Sequence, residues 1–129
     1  MSGPYVSPLL LGISQSTITS TGITQASGKL LFTHCCKLVA HAAGGAFILP
    51  SAALPGSMIM VLNTVASTFA AAVFPPVAAV SIDGAPVTNN GQINELPANT
   101  AFSVPSGKNA IFMPVPDGTG QRWLAFLTA

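Results

Sequence analysis

Proline and glycine punctuate this chain from end to end: 11 prolines and 12 glycines are spread over its 129 residues instead of being gathered into one linker. Proline removes a backbone donor and clashes with the preceding turn of a helix, and glycine loses the most conformational entropy on joining one. Long helices are thereby excluded. Between the breaks lie short runs suited to strands, at residues 18–23, 30–33, 36–40, 46–49, 57–62, 68–74, 78–82, 100–104, 109–115 and 122–127. The separators have turn chemistry: Ala43-Gly44-Gly45, Leu54-Pro55-Gly56, Asp83-Gly84, Asn89-Asn90-Gly91, Ser106-Gly107 and Asp117-Gly118. This pattern predicts an all-β fold, a β-sandwich of jelly-roll-like form. The Ala-rich residues 65–73 are open to helix by propensity, but their Thr and Val, with Phe69 and Phe74, favour a strand.

Charge is scarce. Half the residues are apolar and only 5% are charged, against about 25% in ordinary soluble domains. Such a chain has ample material for a core and is not disordered. A net charge of +1 cannot neutralise a run of phosphates, which excludes electrostatic nucleic-acid binding. A sparsely charged surface instead invites association. The run Met58-Ile59-Met60-Val61-Leu62 is apolar at consecutive positions, so both faces of its strand are expected to be covered. The domain core covers one, and a neighbouring subunit the other.

No charged residue occurs between Lys37 and Asp83, yet Pro50, Pro55, Gly56, Pro75 and Pro76 break that span. Its longest uninterrupted piece, residues 57–74, contains Asn63, Thr64, Ser67 and Thr68 and has no basic flank, so no membrane partner is expected. The first eleven residues lack the basic region and cleavage pattern of a secretory signal, so synthesis in the cytoplasm is expected.

Residues 1–17 differ from the rest, and the expected division is an extended N-terminal arm (1–17) followed by the sandwich domain (18–129). Pro4 and Pro8 favour extended backbone. Tyr5, Val6, Leu9, Leu10 and Leu11 would lose apolar contacts in water, and are the candidate partner-binding residues.

No chemistry-bearing constellation stands out. Cys35 and Cys36 are adjacent, so a strand would point them to opposite faces, and an internal disulfide is not expected. With His34 and His41 they match no zinc-ligand spacing. The three carboxylates, Asp83, Glu95 and Asp117, each sit beside turn residues. Neither a nucleophile-elbow nor a phosphate-loop motif is present. The chain is therefore read as non-enzymatic, with no catalytic, metal or cofactor residues. Trp123, its single Trp, reads as core or interface filler, with stacking on a carbohydrate as the alternative.

Taken in order, several short pieces resemble a recurring module of tailed-bacteriophage structural proteins. They are Gly44-Gly45-Ala46-Phe47-Ile48-Leu49-Pro50, Leu54-Pro55-Gly56, the apolar run from Met58 to Asn63, and Phe74-Pro75. Ile82-Asp83-Gly84, Leu96-Pro97-Ala98, Phe102, Ser106-Gly107-Lys108, Ile111-Phe112 and Trp123 follow. The Cys35-Cys36 pair and the Ala-rich stretch depart from that pattern. The resemblance implies a virion structural protein, a capsid decoration (cement) protein on the outer surface of the capsid, with the major capsid protein as partner. It also implies self-association as a homotrimer, with a dimer as the second choice. The alternative is a head-fibre or tail-fibre module that binds host-surface glycans.

Overall fold

The computed structural model describes residues 15–50, 58–64, 68–76, 91–115 and 122–128. The ten strands among them are β1 (Gln15–Ser20), β2 (Lys29–Leu30), β3 (Cys35–His41), β4 (Ala46–Ile48), β5 (Ile59–Asn63), β6 (Ala71–Phe74), β7 (Gln92–Ile93), β8 (Phe102–Val104), β9 (Asn109–Pro114) and β10 (Arg122–Leu127). No described residue is helical. The all-β expectation is met.

From β1 to β9 each strand passes to the opposite sheet. The larger sheet has the order β1-β3-β5-β9-β10-β7, and the smaller one β2-β4-β6-β8. β1, β3 and β5 run parallel in the first, and β2, β4 and β6 run parallel in the second. A parallel pair needs a crossover of about a dozen residues or more, usually a helix. Residues 21–34 and 42–58 supply that length here, and with no helix-forming sequence available a strand of the smaller sheet occupies each crossover. Antiparallel strands then close the stack: β9 on β5, β10 on β9, and β8 on β6. Five of the eight pairings are parallel. Jelly rolls are assembled from antiparallel Greek keys, and these ladders are built differently.

One buried cluster joins the sheets. Cys36, Leu38, Val61, Phe112 and Trp123 come from the larger sheet, and Phe47, Val73 and Val104 from the smaller. Period-two alternation puts them there: in β3, Cys36 and Leu38 are buried while Lys37 is exposed. The two cysteines do lie on opposite faces, Cys36 buried and Cys35 half-buried.

A bulge changes the phase of β3. Its pairing with β1 steps from Ile18–Leu38 to Thr19–Ala40, leaving Val39 as the extra residue. A bulge of this kind re-aims the side chains beyond it. Ala40 consequently faces out beside Thr19, and His41 sits opposite buried Ser20. Beyond His41 the expected turn forms, with Gly44 at φ 71°, a conformation that side chains disfavour. Gly45 follows, and a Cβ there would come within 2.7 Å of His41 Cβ and Nδ1.

Several expectations are refined. β1 begins at Gln15, so residues 15–17 of the expected arm belong to the sheet. Of the strand expected at 68–74, Ala71–Phe74 forms as β6, residues 65–67 lie outside the described residues, and residues 122–127 form β10 as expected. β7 was not foreseen; two residues carry no periodicity, and the Asn94 side chain prolongs their pairing. Its Nδ2 donates to the Ala125 carbonyl (3.2 Å), and its Oδ1 accepts from the Ala125 N–H (2.8 Å), as a peptide group would. The expected strand at 78–82, the turns at Leu54-Pro55-Gly56, Asp83-Gly84 and Asp117-Gly118, and residues 1–14 lie outside the described residues.

Candidate protein-docking face

Among the described residues, the apolar run in β5 has only one face covered. Ile59, Val61 and Asn63 are buried, while Met60 is 39% exposed. The same alternation holds in β9 and β10, where Ala110, Phe112, Trp123 and Ala125 point inward. Their outward neighbours are also apolar. Strand register assembles these into a row: Cys35 lies opposite Met60, Met60 opposite Ile111, and Ile111 opposite Phe126. At the usual strand spacing the row spans about 14 Å. Beside it, Met113 pairs with Leu124. Phe126 is 53% exposed, and Met113 and Leu124 are about as exposed as Met60.

Polar groups border this patch. Lys37 is exposed on β3, and Arg122 at the start of β10 donates to Glu95 at 2.7 Å. That exposed ion pair adds little stability. The patch offers no donors or acceptors of its own beyond the Cys35 thiol, so burial against another apolar surface is what it can do. Flexible methionine side chains suit such a contact, because they adapt to the shape they meet.

A second arrangement closes one end of the parallel strands. Ser20, His41 and Asn63 are the last residues of β1, β3 and β5. Asn63 is fully buried, and its Nδ2 donates to the carbonyls of Val104 (2.8 Å) and Phe69 (3.0 Å), tying the larger sheet to the smaller. Those two donations leave Oδ1 as the acceptor for His41 Nε2–H at 3.1 Å, which assigns a proton to Nε2. His41 Nδ1 lies 3.1 Å from the Ala42 carbonyl, and the ring packs edge-to-face on Phe47. Ser20 Oγ–H donates to the Ala46 carbonyl at 2.8 Å, a second link between the sheets. A serine, a histidine and an asparagine thus gather at one end, but hydroxyl and imidazole each face other groups. Their hydrogen bonds hold the layers together.

The remaining candidates fall apart in space. Cys36 Sγ points inward and bonds the Thr33 carbonyl and hydroxyl, both at 3.3 Å. His41 is five residues along the same strand, roughly 16 Å away by strand rise, too far to share a metal ion with it. Trp123 is 1% exposed, so it is not available to stack on a carbohydrate, and its Nε1–H meets no acceptor among the described residues. Tyr5, Val6, Leu9, Leu10 and Leu11, along with Asp83 and Asp117, lie outside the described residues. No helix among those residues is long and apolar enough to cross a membrane.

Of the docking face, sequence reasoning points only to the β5 run that holds Met60; Ile111, Met113, Leu124 and Phe126 are not singled out as a site. Their signal was nevertheless present. Ile111-Phe112-Met113 and Trp123-Leu124-Ala125-Phe126 are consecutive apolar runs like that of β5, and three such runs on neighbouring strands leave an apolar side turned outward. No protein-family model matches the chain, and neither a curated protein nor a solved structure matches it.

Proposed function

We propose that this chain is a non-enzymatic virion structural protein, a capsid decoration (cement) protein that binds and stabilises the shell of the major capsid protein. The observation that carries the reading is the outward row Cys35–Met60–Ile111–Phe126, an apolar strip on an otherwise folded sheet. Fully burying one such large side chain contributes about 1.5–3 kcal/mol, and repetition over many equivalent capsid sites multiplies modest contacts. In this reading the protein resides on the outer capsid surface after synthesis in the host cytoplasm. It associates with copies of itself, as a trimer or a dimer, and Tyr5, Val6, Leu9, Leu10 and Leu11 add contacts from the arm. In this reading its fold is a sandwich of the two sheets packed around one buried cluster. The glycan-binding alternative loses its main support with Trp123 buried.

Co-sedimentation with empty shells of the encoding phage tests the proposal. The wild-type chain is expected to saturate at hundreds of copies per shell, and Met60→Ser with Phe126→Ser to bind at least about tenfold more weakly while keeping its circular dichroism. Saturation at a few copies, or undiminished binding of the double variant, overturns it.

A further inference from the structure

We propose that two copies of this chain join edge to edge through β1, antiparallel about a twofold axis, making the two larger sheets continuous. The proposal concerns self-association and stands independently of any capsid partner. Each sheet has two edges, but they are unequal. β2 and β7 are two residues long and β8 three, whereas β1 has six. Alternate peptide groups of β1 point away from β3, and among the described residues no strand pairs with them.

Natural edge strands are usually guarded by charge, proline, a bulge or short length. Gln15-Ser16-Thr17-Ile18-Thr19-Ser20 contains neither charge nor proline, and the bulge in its pairing with β3 belongs to β3. Another strand edge offers a complete ladder of partners, and the other three edges among the described residues are shorter than β1. β1 of a second copy does match. A twofold axis makes the contact isologous and closed, where a threefold would have to join β1 to a different edge. Thr17 and Thr19 are exposed on the outer face, where each copy would set them across from its mate.

Sedimentation equilibrium of the purified full-length chain at micromolar concentration is the test. A dimer is expected. Thr17→Lys with Thr19→Lys places like charges across the axis and is expected to raise the dimer dissociation constant by roughly tenfold or more. Thr17→Glu with Thr19→Glu should do the same, and an equimolar mixture of the two variants should return to dimer mass. Met60→Ser with Phe126→Ser should leave the dimer intact, which separates this edge from the docking face. A trimer, a dimer indifferent to the charge variants, or no recovery on mixing overturns the proposal. A wild-type monomer overturns it too; if that monomer associates once residues 1–14 are removed, the chain's own N-terminal segment is the occupant.

Discussion

The inward and outward sides of β5, β9 and β10 are nearly equal in hydrophobic character and opposite in fate. Inward, Ile59, Phe112 and Ala125 share one register row and are buried against the smaller sheet. Outward, Met60, Ile111 and Phe126 share the next row and are partly exposed. Amino-acid type does not distinguish them, since aliphatic and aromatic residues occur in both. The difference lies in the layer packed on each side. The smaller sheet covers the inner row, and nothing among the described residues covers the outer one. Equal hydrophobicity therefore serves folding on one side and is left for association on the other.

This contrast can be broken most severely from the inner side. Phe112 is fully buried and meets Phe102 edge-to-face with ring centroids 5.7 Å apart. Phe112→Ala is expected to lose about 3–5 kcal/mol, read as a fall in the urea midpoint. The next largest effect is expected at the polar end. Asn63→Ala strands the Phe69 and Val104 carbonyls and the His41 Nε2–H, and should cost about 2–3 kcal/mol in the same measurement. An unaltered midpoint would show that the layers do not depend on this bridge.

Smaller still is the expected effect of Gly45→Ala, whose new methyl would press on His41. Overpacking of this kind costs about 1–3 kcal/mol. In a double-mutant cycle His41→Ala should recover part of it, because the clash and its relief involve the same pair. The smallest change in stability is expected from Phe126→Ser on the outer row, within about 0.5 kcal/mol. A loss comparable to that of Phe112→Ala would erase the distinction between the two sides. An unchanged midpoint with weakened binding to capsid shells would sharpen it.

Much of the fold was legible in the chain itself. Gly44-Gly45 and Ser106-Gly107 marked real turns, because positive-φ positions favour glycine. The adjacent cysteines face opposite ways because a strand has period two. The arm residues are candidates for partner binding on their apolar character alone. The docking face was harder to see, since Met60, Ile111 and Phe126 are distant in sequence and become neighbours only through register.

Composition and punctuation by themselves determined a strand-rich chain with short elements, more apolar material than one core layer uses, and very little charge. These are local or additive properties, set by backbone sterics and by transfer from water. Tertiary structure alone decided that most ladders run parallel, that Val39 bulges and turns His41 toward Asn63, and which of two apolar sides becomes the core. Strand pairing is a long-range choice: any uncharged strand edge offers the same donors and acceptors. Selection among them comes from the simultaneous packing of both sheets around Phe47, Phe112 and Trp123, which no local stretch of the chain encodes.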